Sequence, residues 1–292
     1  MGVISDIKAF IELVEKYKQP KRQEEENVAT RFIKLFEKHG IYRNQIPRYF
    51  DHGLSLDDVS STDKLLTKLN HETLKAAAKL FSIRIEWLEG ADDELYELHD
   101  FYKHPEDYRA FLEQLVIVNN KSYRLRVKLI ISSKFTHNED ALLILEEPIA
   151  DLGENQIVRY HLCGGWNYEY FKCRADIAAC IGISDQLKVN IPRVLNVNEY
   201  IGNYCEGRGF IPDLYDFPLA YKRNHFFKKT YNLFHLDELL SDPRIFVDDV
   251  RDGLWGKTSA LELWLNYYDQ GFMDTKYISR EVFSKYLEEL QK

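Results

Sequence analysis

Residues 70–90 read NHETLKAAAKLFSIRIEWLEG and form the stretch of the chain with the clearest helical pattern. Leu74 and Phe81 are two helical turns apart and therefore share one helix face. Asn70 is a favoured N-cap residue, and Gly90 suits the left-handed position that ends many helices. The stretch therefore predicts a helix that begins after Asn70, ends at Gly90 and buries one apolar face.

Four shorter segments with helix-start or helix-stop signals precede this stretch. They are residues 30–39 before Gly40, a segment after Asn44 with Pro47 in its first turn, residues 56–59 after Ser55, and a segment after Ser61 or Thr62 that carries Leu65, Leu66 and Leu69. Another helix is predicted from Ser5, ahead of a charged linker that runs to Glu26. We therefore assign residues 1–26 to an N-terminal helix and linker, and residues 27–92 to a domain of five short helices.

The pattern changes after Gly90, where several segments alternate between apolar and polar residues as strands do. Predicted strands cover residues 123–131, 141–145, 157–162 and 187–194, with a turn around 151–153 and a strand-like segment at 244–250. Predicted helices cover residues 105–115 and 167–181, and residues 221–292 are mostly helical. Residues 95–292 are therefore predicted to form an α+β domain, with a mostly antiparallel sheet, flanking helices and a helical C-terminal part.

Residues 31–90 resemble the N-terminal helix-turn-helix domain of Cro/λ-repressor-like (XRE-type) regulators. In that family a glycine ends helix one, a Leu-Ala pair anchors helix two, a hydrophobic residue and a serine open the recognition helix, and a patterned helix closes the domain. The matching residues are Gly40, Ile41, Ile46, Pro47, Leu54, Ser55 and Val59, and the closing set Leu74, Ala78, Leu80, Phe81, Ile83, Trp87, Leu88, Glu89 and Gly90. The resemblance covers about a fifth of the chain and implies that an all-α, helix-turn-helix-like domain precedes the sheet domain.

This resemblance implies a transcriptional regulator that binds double-stranded DNA as a homodimer, with residues 95–292 as a sensory or oligomerisation domain. The implied DNA-contact residues are Arg43, Asn44, Gln45, Arg48, Ser55, Lys64 and Lys68. The basic side chains among them would contact phosphates, which supply much of the affinity for DNA.

The sequence departs from the family where DNA contact would occur. Residues 51–53 lengthen the turn by two residues, and Arg43 stands where the family usually has a phosphate-contacting Gln. The candidate recognition segment, residues 55–61, carries Asp57 and Asp58 and no Lys or Arg. Because acids repel phosphates, a second hypothesis is that the same helices bind a protein partner.

The run from Tyr160 to Arg174 is rich in aromatic residues and includes a Gly164–Gly165 pair. One interpretation is a pocket for a small-molecule effector at a strand-to-helix junction, because glycines allow a ligand to approach the backbone and a helix N-terminus favours an anion. Its candidate ligand-binding residues are His161, Trp166, Tyr168, Lys172 and Arg174. The alternative interpretation, an aromatic packing seam between sheet and helix, is favoured.

No catalytic, metal-binding or cofactor-binding motif is complete. His99, His104 and His161 lack the spacing of a metal site, and we interpret His99 and His104 as loop or surface residues. Glu146, Glu147 and Asp151 are interpreted as solvated acids at a strand end. Residues 253–258, GLWGKT, lack the first glycine of a phosphate loop, since position 251 is Arg. An enzyme in residues 95–292 stays a third hypothesis, and it requires a pocket that gathers His161, Glu169, Lys172 and Arg174.

Composition is typical of a globular protein, with 45% hydrophobic and 29% charged residues. The net charge is −8, but residues 27–90 hold ten Lys or Arg against eight Asp or Glu, so this part is +2 and the remainder −10. The chain shows no secretion signal or apolar span, which predicts a cytoplasmic protein without membrane contact. Its four cysteines, Cys163, Cys173, Cys180 and Cys205, lack paired spacing and are expected to be reduced core residues.

Overall fold

Helices cover both faces of a mixed sheet in the computed structural model of this chain. The structure describes residues 26–119, 124–132, 140–153, 155–191, 195–197, 201–215, 237–274 and 280–292. The helix predicted from Ser5, the linker up to residue 25, and the predictions for residues 123, 192–194, 221–236 and 275–279 lie outside the described residues.

The N-terminal part of the described chain is built from short helices. They are α1 Val28–Lys38, α2 Ile46–Tyr49, α3 Thr62–Leu66, α4 His71–Phe81 and α5 Ile85–Glu89, with 3-10 turns at Arg43–Gln45 and Asp58–Ser60. Asn70 caps α4 as predicted, since its side chain accepts a hydrogen bond from the Thr73 amide at 2.9 Å. The single helix predicted over residues 70–90 is divided into α4 and α5, because Ser82 adopts a left-handed φ of 52° that ends α4.

The sheet has the strand order β1-β4-β3-β2-β5 among the described residues. The strands are β1 Leu98–His99, β2 Arg126–Ser132, β3 Asp140–Leu152, β4 Asn155–Asn167 and β5 Leu195–Val197. β3 pairs antiparallel with β2 and β4, whereas β1 and β5 add parallel edges. The strands predicted at 141–145 and 157–162 belong to one long hairpin, in which Glu147 lies opposite Arg159. The predicted α+β class is confirmed.

The remaining helices follow the strands in sequence. They are α6 Pro105–Asn119, α7 Phe171–Gln186, α8 Gly202–Cys205, α9 Glu238–Ser241, α10 Pro243–Val247, α11 Gly253–Asp269 and α12 Arg280–Leu290. None of the described helices combines the length and apolar content needed to cross a bilayer.

Two predicted strands are wrong where the structure describes them. Residues 187–191 form a turn after α7, in which Lys188 has a φ of 58° and Asn190 makes one isolated bridge to Arg126. The strand-like segment at 244–250 begins inside helix α10, whose first turn holds Pro243 and is capped by Asp242. Both errors have one cause, since a short apolar run does not distinguish a strand from a helix.

The N-terminal helices and one face of the sheet share a hydrophobic cluster. Phe36 and Phe81 of the helices lie in the same cluster as Ile144 and Leu162 of the strands. The opposite face packs against α6, α7 and α9 to α12, and it includes the buried thiols of Cys163, Cys173 and Cys180. Residues 27–92 are therefore docked directly on the sheet, and the sheet forms part of their core.

Candidate functional site

The segment that corresponds to a recognition helix is one 3-10 turn, Asp58–Ser60. The Ser55 amide and hydroxyl both donate to Oδ2 of Asp58, at 2.8 and 2.6 Å. These two bonds lower the pKa of the Asp58 carboxyl, with smaller contributions from Lys68 and Lys64. The predicted DNA-contact hydroxyl of Ser55 is therefore engaged within its own turn.

The two lysines predicted to contact phosphates face acids of this turn. Nζ of Lys64 lies 2.6 Å from Oδ1 of Asp57, and Nζ of Lys68 lies 3.8 Å from Oδ1 of Asp58. All four side chains belong to residues 40–70, where four cations meet four acids and the net charge is zero. This surface consequently lacks the excess of positive charge that attracts a polyanion.

The other predicted DNA-contact residues lie at the start of the preceding helix. Nε of Arg43 donates to the carbonyl of Val59 at 2.5 Å, so the half-buried guanidinium braces the turn from inside. Oε1 of Gln45 accepts from the Tyr42 amide at 2.9 Å. Asn44 and Arg48 remain exposed to solvent.

Three large apolar side chains of the same helical unit are exposed. Tyr42 is 70% exposed, Leu56 is 64% exposed and Leu66 is 46% exposed. Tyr42 precedes the first 3-10 turn, Leu56 lies just before the second, and Leu66 ends α3. The second turn packs against both the first turn and α3, so the three side chains belong to, or lie within two residues of, elements that contact one another. Together they define what we term the Leu56 surface: Tyr42, Leu56 and Leu66.

The predicted ligand-binding Arg174 is fully buried. Its guanidinium donates to the carbonyls of Tyr168, Phe246 and Asp248, at 2.9, 2.6 and 3.0 Å. It also lies 3.6 Å from the centre of the Tyr168 ring. Burial lowers the pKa of Arg174. Tyr168 and three nearby acids partly offset this lowering: Asp249, Asp248 and Glu169. The side chain therefore joins the start of α7 to the end of α10, and three of its nitrogens donate to backbone oxygens.

The other predicted ligand-binding residues are divided between separate contacts. Trp166 is 2% exposed and belongs to the same core cluster as Tyr168. Nζ of Lys172 lies 5.6 Å from the centre of the Phe171 ring. His161 is buried, and its Nε2 lies within hydrogen-bond distance of Glu147. The structure thus brings Tyr168 and Arg174 together as a packing contact, in agreement with the seam interpretation.

Glu146 and Glu147 are buried, so the prediction that they are solvated strand-end acids is wrong. Glu146 contacts Nε of Arg126 and Nζ of Lys128, each at 2.7 Å, on the face that carries the N-terminal helices. Glu147 lies on the other face, where Arg159 binds it through two nitrogens and Nε2 of His161 lies 2.8 Å away. β3 continues to Leu152, which places both acids inside the sheet and opposite basic residues of the neighbouring strands.

Asp176 on α7 is a buried ionisable residue that the sequence analysis did not single out. Its carboxyl accepts a 2.5 Å hydrogen bond from the Tyr267 hydroxyl and a 3.2 Å bond from the Lys103 amide. Burial raises its pKa to about 6. The sequence signal was an acid among the small and apolar residues Ala175 to Ala179 of a helix. Within the described ranges, no group of three or more His, Cys, Asp or Glu side chains has the geometry of a metal site.

No protein-family model, no curated protein and no solved structure matches this chain.

Proposed function

We propose that residues 27–92 form a protein-binding module that receives an apolar segment of a partner protein on the Leu56 surface. The observation that carries this proposal is the pairing of Lys64 and Lys68 with the acids of the turn beside an exposed Leu56. The pairing leaves the surface neutral, while apolar area stays open to solvent.

Phosphate contact and apolar burial at this surface differ in free energy and in their dependence on salt. Exposed ion pairs contribute only about 0–1 kcal/mol each, so they alone do not prevent a lysine from turning to a phosphate. A net charge of zero in residues 40–70, however, removes the long-range attraction for a polyanion, and each lysine must leave its acid before it can displace a phosphate counterion. Complete burial of a side chain such as that of Leu56 contributes about 2 kcal/mol, independently of salt. The surface therefore favours a salt-insensitive apolar contact.

Photo-crosslinking tests this proposal. A photoreactive amino acid replaces Leu56 in the full chain, and a matched variant carries it at Val282 of α12, which is 46% exposed and lies outside the Leu56 surface. We expect a discrete protein adduct at position 56 that the position 282 variant lacks. Adducts of the same kind at both positions, or none at position 56, contradict the proposal.

DNA binding is the second candidate function, because Asn44 of the first 3-10 turn and Arg48 of α2 stay exposed. Its test is retention of pooled genomic DNA fragments by the purified full chain at about 50 and 200 mM salt, conditions between which several phosphate contacts weaken affinity by orders of magnitude. Selective retention that weakens with salt and is lost in Arg48→Ala supports a DNA-binding regulator. Absence of retention at both salt concentrations is the outcome expected for the protein-binding module.

A further inference from the structure

Asp176 lies where three segments of the fold meet. Its side chain is fully buried on α7. The Tyr267 hydroxyl of α11 donates to Oδ1 at 2.5 Å, and the Lys103 amide, in the loop between β1 and α6, donates to Oδ2 at 3.2 Å. Lys103 has a φ of 65°, a left-handed conformation that residues other than glycine disfavour. The carboxyl thus holds a strained loop and a long helix against α7.

The ionisable groups around this carboxyl come from every element that packs on it. The loop contributes Tyr102, Lys103 and His104, α11 contributes Tyr267, and α7 contributes Cys173 and Cys180. One step further out, Glu106 of α6 faces Tyr267 and Tyr170, just before α7, faces Tyr102. Lys103 and His104 favour the ionised carboxyl, but among the described residues no ion pair joins a cation to Asp176 directly. Burial without a paired cation opposes ionisation and raises the pKa of Asp176 to about 6.

We propose that Asp176 is a proton-operated switch that holds the loop of residues 100–104 and α11 against α7 when protonated and loosens them when ionised. In the protonated state, Oδ1–H donates to the Tyr267 oxygen while Oδ2 accepts from the Lys103 amide. Both contacts persist and no charge is buried. In the ionised state the carboxylate accepts both bonds but lacks hydration. Opening of the loop admits water to it, so ionisation and opening favour each other.

Hydrogen exchange on the full chain measures this coupling. The readout is the protection of the amides in residues 100–104 at pH 5 and pH 7.5, after correction for the intrinsic exchange rate. Opening that restores the ordinary pKa of the carboxyl makes the open state about tenfold more populated at pH 7.5 than at pH 5. We expect that loss of protection in the wild-type chain. Equal protection at the two pH values overturns the proposal.

Asp176→Asn provides the decisive variant. The amide oxygen can accept from Lys103 while its NH2 group donates to Tyr267, so this side chain imitates the protonated acid. Its protection should not change between the two pH values. Retention of the wild-type pH response in this variant assigns the effect to another group and overturns the proposal.

Two further variants keep the test conclusive. His104→Gln removes the imidazole that lies beside the loop and should retain the tenfold response. Tyr267→Phe removes a hydrogen bond that favours the ionised carboxyl, so the change in protection should move to higher pH. If Asp176→Asn does not fold, an unmoved transition in Tyr267→Phe is the result that overturns the proposal.

Discussion

Lys64 and Asp57 form an ion pair of 2.6 Å at the turn where a helix-turn-helix protein would meet DNA. Lys68 faces the neighbouring Asp58 across 3.8 Å. The acids therefore neutralise the two lysines that the family resemblance assigns to phosphate contact.

Removal of these acids should create affinity for DNA. The double variant Asp57→Asn and Asp58→Asn raises the net charge of residues 40–70 from zero to +2 and frees both lysines. We expect about a tenfold gain in binding to mixed duplex DNA at low salt, measured by fluorescence anisotropy, because the freed cations release phosphate counterions. The matched control, Asp51→Asn with Asp63→Asn, makes the same charge change but leaves Lys64 and Lys68 paired, and it should gain less. Equal gains in the two variants contradict the role assigned to the pairing.

Asp176 should make the protein less stable as the pH rises from about 4 to 6. Its pKa is raised from an ordinary 3.8 to about 6 in the folded state, so folding favours the protonated form. The stabilisation is complete below pH 3.8 and is lost as the pH rises through 6, by about 3 kcal/mol for a shift of this size. Urea unfolding at several pH values measures this slope, and Asp176→Asn should remove it. An unchanged slope in that variant contradicts the assignment.

His39 should act with the opposite sign in an overlapping pH range. Its ring is buried between Phe81 and Tyr160, at centroid distances of 4.2 and 5.8 Å, and burial lowers its pKa from 6.5 to about 4. The unfolded chain therefore binds a proton on this histidine as the pH falls through 6.5, whereas the folded chain binds it only near pH 4. The free energy of unfolding consequently decreases as the pH falls from 6.5 to 4.

His39→Phe should remove this contribution of about 3 kcal/mol. In the wild-type chain the opposite contribution of Asp176 offsets it, so the free energies of unfolding of the variant and the wild type should diverge as the pH falls from 6.5 to 4. Urea unfolding across the same pH series is the measurement. The exposed His71 supplies the control, and His71→Gln should keep the pH dependence of the wild-type chain. If this pH-dependent contribution disappears in His71→Gln and persists in His39→Phe, the prediction is contradicted.

Arg174 should contribute to stability through the carbonyls that it satisfies. Arg174→Met removes the donors to Tyr168, Phe246 and Asp248 and leaves buried oxygens unpaired. We expect the free energy of unfolding to fall by about 3–5 kcal/mol in urea titrations. The control is Lys172→Ala. Among the described cation–ring contacts, Lys172 makes one, with the ring of Phe171. Its replacement should change the free energy of unfolding by less than about 1 kcal/mol. Similar losses in both variants contradict the structural role of Arg174.

The sequence predicted local structure where a cap and a periodic pattern coincide. Asn70 and the spacing of Leu74 and Phe81 placed α4, and the polar turn around residues 151–153 placed the hairpin of β3 and β4. The break at Ser82 was not predictable in the same way, because a left-handed serine follows from packing rather than from local preference.

The burial of acids that are paired across neighbouring strands could not be predicted from the sequence pattern of one strand. Glu146 and Glu147 were assigned to solvent because an acid pair at the end of an apolar run is usually exposed. Their burial depends on β2 and β4 placing Arg126 and Arg159 directly opposite them. The alternation along β2 contained part of this information, since it puts the two cations Arg126 and Lys128 on one face of the strand.

The sequence predicts a binding surface in the N-terminal helices, but not the pairing of charges or the apolar exposure there. The family resemblance placed residues 43–68 at a binding surface, and the acids at positions 57 and 58 raised the alternative of a protein partner. Which cation meets which acid depends on the geometry of one 3-10 turn. The exposure of Tyr42 and Leu66 likewise follows from how short helices pack, since the helical pattern alone would bury the end of α3.

The most direct test of the protein-binding module is the dissociation constant of the partner identified by crosslinking at position 56. The partner and the full chain are purified, and binding is measured by calorimetry for the wild type, Leu56→Glu and the control Val282→Glu. We predict about 30-fold or greater weakening in Leu56→Glu, the loss expected for a central apolar contact, and no change in the control. Equal affinity of the wild type and Leu56→Glu would contradict a protein-binding role of the Leu56 surface. DNA binding would then be the favoured function of residues 27–92.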